Sequence, residues 1–151
     1  MKTVIQRVTR AEVRVDGAVV GRVDRGLLLL VGVEQGDSEA DADVTARKIA
    51  AMRIFPGRTP MDLTTREVSG GCLVVSQFTL VASLAKGNRP SFEPAEAPAR
   101  AEALYLRVAS QLLLTGLLVE TGRFGADMAV ELVNDGPVTF VVEVKGGALL
   151  K

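Results

Sequence analysis

Residues 26–33 read GLLLLVGV, an apolar run that begins and is interrupted by glycine. A continuous run of this kind is typical of a central strand that is covered on both faces, because a half-exposed strand alternates polar and apolar side chains. A second strong run, from Gly71 to Val81, predicts another buried strand. These two runs indicate that the chain is organised around a sheet.

Shorter strands surround this centre. Residues 11–15 alternate apolar and charged side chains, as a half-buried strand does, and Asp16-Gly17 is a hairpin turn signal. The sequence predicts further strands at 18–21, 53–55, 117–120, 128–133 and 138–144, with loops at 58–70 and 83–97 and a short extended piece at 61–63.

Two helices complete the predicted elements. Ser38 and Asp41 resemble a capping box ahead of a helix over 39–52, and Pro98 suits the first position of a second helix that extends towards Gly116. Two helices are too few to cover both faces of a doubly wound sheet. We therefore expect an α/β fold with one compact domain over 1–151, a β-rich mixed sheet that is barrel-like or two-layered, and two main helices on the outside.

Composition excludes several function classes. The 151 residues include no histidine, which removes histidine-based nucleophilic and general-base catalysis and most zinc sites. Cys72, the one cysteine, lies in an apolar strand and favours a buried structural thiol over a nucleophile. The 18 basic and 18 acidic residues balance, so no global charge attracts nucleic acid. The longest apolar run is too short for a bilayer and the first residues lack a signal peptide pattern, so the cytoplasm is the expected location.

Three stretches have the polar side chains that chemistry needs. Ser76-Gln77-Phe78-Thr79 fits a strand end that leaves the core equally as well as a site that presents hydroxyl and backbone N–H groups to a ligand. The basic loop 86–92 is by itself more typical of a solvated surface than of a phosphate or nucleotide site. In 122–128, GRFGADM, a structural pair between Arg123 and Asp127 is slightly favoured over a direct ligand role.

Residues 133–140, VNDGPVTF, form the last unusual stretch. Asn134, Asp135 and Gly136 suit a tight hairpin turn, but Pro137 falls where the next strand begins and cannot donate to a sheet ladder. Local rules alone predict a hairpin with a misplaced proline.

Taken in order, these motifs resemble one family, the D-aminoacyl-tRNA deacylases. The similarity extends over essentially the whole chain, and it is most specific at the Ser-Gln-Phe-Thr and Asn-x-Gly-Pro-x-Thr motifs. The matching stretches are Gln6-Arg7-Val8, 76–80, 87–92, 121–128 and 134–139.

The resemblance implies a cytoplasmic homodimer that hydrolyses the ester between a D-amino acid and the terminal adenosine of tRNA, and that also removes mischarged glycine. This activity is a form of chiral proofreading. Gly136-Pro137 would be a Gly-cisPro filter that one subunit inserts into the active site of the other. Only about 5% of X-Pro bonds in folded proteins are cis, so this is a specific expectation.

The resemblance also assigns roles to individual residues. The expected catalytic segment is Ser76, Gln77, Phe78 and Thr79, with backbone N–H groups near Gln77 and Phe78 as an oxyanion hole, the substrate 2′-OH assisting water, and Thr79 in a positioning role. The expected contacts with substrate and tRNA are Arg7, Lys86, Arg89, Pro90, Ser91, Phe92, Phe124 and Met128. No metal, cofactor, membrane or DNA partner is expected.

Two alternatives remain open from the residues. One is a dimeric module that binds RNA ends without catalysis, and the other is a small-molecule esterase or amidase with no RNA partner. Both leave the Gly-Pro motif unexplained.

Overall fold

The computed structural model describes residues 1–150. Within that range the chain forms nine strands, two α-helices and a 3-10 turn at Phe78–Val81. The strands are β1 Lys2–Val15, β2 Ala18–Val23, β3 Gly26–Gly32, β4 Arg53–Phe55, β5 Leu63–Thr64, β6 Gly71–Ser76, β7 Leu118–Thr121, β8 Ala129–Lys145 and β9 Ala148–Leu149. The helices are α1 Glu39–Ala51 and α2 Pro98–Leu114.

The main sheet is mixed and curled. Its strand order is β7-β6-β3-β1-β8-β9, and β2 also pairs with β1. Strand β6 pairs in parallel with β3 on one side and with β7 on the other. Strand β1 pairs antiparallel with β2, β3 and β8. The predicted α/β fold with a β-rich mixed sheet and two helices is confirmed.

Apolar clusters cover both faces of the sheet. Leu27 and Leu29 belong to the cluster that includes buried side chains of α1 and α2, and Leu28 belongs to a second cluster with Leu73 and Val75. Successive side chains of a strand point to opposite faces, so the continuous apolar run of β3 serves both clusters. The prediction of a central strand at this position is confirmed.

The helices begin where their capping signals predict. The backbone N–H of Ser38 donates to the Asp41 carboxylate at 2.8 Å, which gives the predicted capping box at the start of α1. Pro98 occupies the first turn of α2. The two helices are joined by Arg107, whose guanidinium donates to both carboxylate oxygens of Asp43 at 2.7 and 3.0 Å.

The second predicted strand is shorter than expected. It ends at Ser76 rather than at Val81, because the chain turns into the 3-10 segment at Phe78. The N–H of Gln77 still donates to the carbonyl of Val31, at 2.8 Å. The short extended piece expected at 61–63 lies at Leu63–Thr64, where it pairs with β4.

The predicted hairpin in residues 133–140 is wrong. Strand β8 is continuous, and both of its halves pair with β1: Asn134 lies opposite Val8 and Thr139 opposite Gln6. Residues 135–138 bulge out between these two pairs. The local turn signal is real, but the chain continues in its original direction because β1 is long enough to pair with both halves.

After β8, a turn at Gly146 and Gly147 leads into β9, which pairs back onto residues 144 and 145. The predicted domain includes Lys151, which lies outside the described residues. No helix within residues 1–150 has both the length and the apolar character that crossing a membrane requires.

Candidate active site

The main pocket lies where the parallel strands β6 and β7 end. It has a volume of about 640 Å³ and is lined by residues 75–78, 95–98 and 124–128, together with Val33, Phe92, Ala101 and Val130. Strand β6 continues directly into 77–78, and β7 is followed by the 122–128 loop. Ligand sites in sheets with parallel strands commonly lie beyond the carboxyl ends of those strands.

The Ser-Gln-Phe-Thr segment forms one wall of this pocket. Ser76 and Gln77 are half-buried, whereas Phe78 and Thr79 are exposed. The side-chain amide of Gln77 donates to the hydroxyl oxygen of Thr79. Ser76, Gln77 and Phe78 line the pocket and Thr79 does not. The segment is therefore both a strand end and part of a cavity wall.

Two aromatic pairs stand at the pocket. Phe78 and Phe92 meet edge to face with ring centroids 5.0 Å apart, and they are 55% and 42% exposed. Phe124 stacks on the buried ring of Tyr105 with centroids 5.9 Å apart. Burial raises the pKa of Tyr105, so its hydroxyl stays neutral. Exposed aromatic rings beside a cavity suit a ligand that has a flat ring of its own.

The loop after β7 forms the opposite wall. The N–H of Gly122 donates to the carbonyl of Val74 at 3.0 Å, and a Cβ on Gly122 would lie 2.9 Å from the sulfur of Met128. Glycine at position 122 therefore leaves room for the side chain of Met128. The predicted structural pair between Arg123 and Asp127 is wrong: both are exposed, no ion pair joins them among the described residues, and Asp127 lines the pocket.

The predicted basic loop lies beside the pocket rather than in it. Lys86, Arg89, Pro90 and Ser91 are all exposed, and only Phe92 of this loop reaches the main cavity. Lys86 and Ser91 line a smaller neighbouring cavity of about 350 Å³.

Gly136 and Pro137 are not part of the pocket of their own chain. They are exposed in the bulge that leaves β8, the peptide bond between them is cis, and Gly136 has a φ of +120°. The nearest pocket residue on the same strand is Val130, six positions earlier, which corresponds to about 20 Å of extended chain.

The structure places Arg7 differently from its predicted role in binding tRNA. Its side chain is only 8% exposed, one guanidinium nitrogen, Nη1, donates to the carbonyl of Ile54 at 2.7 Å, and Nε lies 3.2 Å from the Asp135 carboxylate. The N–H on Nε lacks hydrogen-bond geometry to that carboxylate, so this contact is an ion pair only. Arg7 therefore supports the base of the Gly-Pro bulge from inside the protein.

Asn134, expected from its sequence to occupy a hairpin turn, instead holds the base of the bulge together. Its side-chain amide donates to the carbonyls of Arg7 at 3.0 Å and Val138 at 3.1 Å, and it accepts from the Thr139 hydroxyl at 3.2 Å. These bonds close the bulge at its base. The motif itself was the available signal, because its Asn and Thr bracket the Gly-Pro pair.

The sequence did not indicate that residues 95–98 line the pocket, because 95–97 read as loop and Pro98 reads only as the start of α2. Glu96 there accepts from the N–H of Ala97 at 2.8 Å and lies 3.5 Å from Arg100. Its carboxylate is therefore already engaged by the start of α2.

Cys72 cannot serve as the nucleophile. It is buried within β6, and burial raises the pKa of its thiol to about 12, so the reactive thiolate is not populated near neutral pH. The predicted structural thiol is confirmed. A site with hydroxyl, amide and backbone groups, but without histidine or a reactive thiol, can still orient a water molecule and stabilise an oxyanion.

A curled mixed sheet with a pocket beyond its parallel strand ends is an architecture in which enzymes commonly bind a ligand. The family model described as D-Tyr-tRNA(Tyr) deacylase matches residues 4–143. The chain belongs to this family.

Relatives named D-aminoacyl-tRNA deacylase match along nearly the whole chain. The Geobacter metallireducens protein is 54% identical over 144 residues, which cover 95% of each chain. The Anaeromyxobacter dehalogenans protein is 56% identical over 144 residues, 95% of this chain and 97% of its own.

Two solved structures share the fold. One, titled c-Myc DNA Unwinding Element Binding Protein, has a TM-score of 0.90 and 37% identity over 97% of this chain and all of its own. The other, titled a probable eukaryotic D-amino acid tRNA deacylase, has a TM-score of 0.78 over 93% of this chain and 97% of its own. At 16% identity, the second shows likeness of fold alone.

Proposed function

We propose that this chain hydrolyses the ester bond of D-aminoacyl-tRNA and of mischarged glycyl-tRNA, releasing the free amino acid and reusable tRNA. The observation that carries this proposal is the pocket formed by the Ser-Gln-Phe-Thr segment in a chain that matches D-aminoacyl-tRNA deacylases over 95% of its length. We also propose that residues 1–151 act as one domain within a cytoplasmic homodimer.

Water attacks the ester carbonyl in this proposal, and the ribose 3′-oxygen leaves with a proton. The developing oxyanion needs hydrogen-bond donors that are not already in use. The N–H of Gln77 is engaged by Val31, so the N–H of Phe78, which lines the pocket, is the better candidate. The first donors of a helical turn have no partner within that turn. One well-placed donor contributes about 3 kcal/mol to transition-state stabilisation in other enzymes. The neighbouring 2′-OH of the substrate assists water, so no protein base is required.

Thr79 acts in positioning rather than as a nucleophile. Its hydroxyl oxygen accepts from the Gln77 amide, and a threonine without an adjacent base is a weak nucleophile. We expect Thr79→Ala to lower kcat and to retain measurable hydrolysis, with Thr79→Ser as the matched control that keeps the hydroxyl. Complete loss of activity in Thr79→Ala, with an unchanged circular dichroism spectrum, would instead support a nucleophilic threonine.

The Gly136-Pro137 pair of one subunit enters the pocket of the other subunit and selects the hand of the substrate bound there. Its exposed position on a bulge, and its separation from the pocket of its own chain, support entry into the other subunit. There the pair would crowd the side on which an L side chain projects. Glycine has no side chain and passes the same filter.

The end of the tRNA is held mainly by apolar and aromatic groups. Phe92, Phe124 and Met128 line the pocket and would contact the terminal adenosine. Lys86 and Arg89 are exposed beside it and would contact phosphates, so we expect binding to weaken with salt.

The deciding experiment follows deacylation of D-Tyr-tRNA and L-Tyr-tRNA by the purified protein. We expect fast hydrolysis of the D ester and slow hydrolysis of the L ester. Equal rates would reject the chirality filter. Tight tRNA binding with no hydrolysis of either substrate would favour an RNA-end-binding module. Hydrolysis of a simple amino acid ester, without hydrolysis of the tRNA ester, would favour a small-molecule esterase.

A further inference from the structure

Two guanidinium groups contact the ring of Phe55, and one of them, that of Arg7, lies at the base of the Gly136-Pro137 bulge. The buried ring of Phe55 has Arg7 at 5.9 Å from its centroid and Arg25 at 5.3 Å. Arg7 lies inside the protein and faces Asp135, whereas Arg25 is exposed. The ring of Phe55 therefore lies close both to Arg7, which supports the bulge, and to Arg25 at the surface.

The turn between β4 and β5 adds another exposed arginine. Arg58 follows Phe55 by three residues, and its backbone N–H donates to the Asp62 carboxylate at 2.7 Å. The N–H of Asp62 in turn donates to the carbonyl of Phe55 at 2.9 Å. These bonds fix the shape of the turn and leave the side chain of Arg58 exposed to solvent.

Asp24 next to Arg25 in the sequence, Asp62 in the turn that contains Arg58 and Asp135 in the bulge all form ion pairs with other arginines. Their partners are Arg22 for Asp24 at 3.9 Å, Arg53 for Asp62 at 2.6 Å and Arg7 for Asp135 at 3.2 Å. Among the described residues, no acidic side chain forms an ion pair with Arg25 or Arg58. In a chain of zero net charge, each of these two exposed guanidinium groups is therefore a positive charge without an ion-pair partner in the described part of the chain.

We propose that Arg25 and Arg58, which we call the arginine surface, bind phosphates of the tRNA acceptor end while the Gly-Pro bulge enters the partner's pocket. This inference rests on the proposed function. The proposal places the phosphates that lead to the last adenosine beside the inserted bulge, next to the arginine surface. The planar guanidinium of arginine matches phosphate in geometry as well as in charge.

The test measures the affinity of uncharged tRNA with an intact 3′ end for the full-length protein, by fluorescence anisotropy over a series of salt concentrations. The variant is the double substitution Arg25→Gln, Arg58→Gln. We expect its affinity to fall roughly 10-fold per lost contact at about 50 mM salt, and the slope of log affinity against log salt to decrease by about one per contact.

Two further variants control for charge and folding. Arg107→Gln removes one positive charge that pairs with Asp43 and Glu39 of α1, outside the arginine surface, and should leave tRNA affinity unchanged. Arg25→Lys, Arg58→Lys keeps the charge and should retain most of the salt slope. A circular dichroism melt identifies any variant that has lost its fold.

Each remaining outcome has a definite meaning. An unchanged affinity in the glutamine variant, or an equal loss in Arg107→Gln, would overturn the proposal. So would duplex DNA of the same length binding as tightly and losing as much, because the surface would then be a general polyanion site. If the wild type bound tRNA through this surface but hydrolysed no ester, the proposed function would fail and the arginine surface would stand.

Discussion

Replacing Arg7 by methionine tests whether the Gly-Pro bulge is held from within the protein. Methionine keeps an apolar stem for packing and removes the guanidinium. The change deletes the 2.7 Å hydrogen bond to the carbonyl of Ile54 and the 3.2 Å ion pair with Asp135. A hydrogen bond to a charged group contributes about 1.5–3 kcal/mol, and a buried carbonyl without a partner costs about 1–3 kcal/mol. Because these effects overlap, we expect Arg7→Met to lower the free energy of unfolding by about 2–4 kcal/mol.

The assay pairs urea unfolding with the hydrolysis of D-Tyr-tRNA and L-Tyr-tRNA. A domain of ordinary stability, about 5–15 kcal/mol, stays folded after a loss of this size. The remaining defect then lies in the position of the bulge, and since small displacements of positioning groups lower rates strongly, we expect selectivity for the D ester to fall about 10-fold or more.

Arg10→Met is the matched control on the same strand. Arg10 is half-exposed and pairs with Glu131 at 2.7 Å on the surface. Exposed pairs of this kind contribute little to stability, so both readouts should stay near wild type. The reasoning is refuted if Arg7→Met and Arg10→Met behave alike, or if Arg7→Met loses stability without any change in selectivity.

Two further predictions concern folding. Asp41→Ala removes the acceptor of the Ser38 and Gly147 N–H groups and should cost about 2 kcal/mol at pH 7. Burial raises the pKa of Asp41, but these hydrogen bonds outweigh burial and lower it overall. The advantage of the wild type in urea unfolding should therefore shrink as the pH falls from the ordinary pKa of 3.8 through the lower pKa of the folded protein; an advantage that does not change with pH would contradict this. Gly26→Ala puts a Cβ 1.9 Å from the carbonyl oxygen of Gly71, so we expect little soluble folded protein, and a wild-type melting temperature would show that β3 and β6 can separate.

Local patterns predicted the elements that depend on nearby residues. The apolar run of β3, the Asp16-Gly17 turn and the Ser38-Asp41 capping box each involve interactions within a few positions. The signal is therefore contained in the stretch that forms the structure.

The predictions that failed depend on distant partners. Whether the turn after Val133 reverses the chain is decided by β1, which lies more than a hundred residues earlier and pairs on both sides of the bulge. The burial of Arg7 likewise depends on Ile54 and Asp135, which no local pattern connects to it. An arginine near the start of a chain is ordinarily at the surface.

The candidate site was predicted in part. Ser76, Gln77 and Phe78 meet Phe92, Phe124 and Met128 around one cavity, as the family resemblance implied. The contribution of residues 95–98 could not be read from the sequence, because it arises from the way α2 packs against the sheet.

The buried thiol of Cys72 has a consequence for how the protein responds to acidity. Histidine and cysteine are the side chains whose ordinary pKa values lie closest to neutrality. This chain has no histidine, and its one thiol has a pKa of about 12. A change in pH between about 6 and 8 therefore alters the charge of few of its side chains. Between about pH 6 and 8, the rate of ester hydrolysis should then follow the chemistry of the substrate more than that of the protein's side chains.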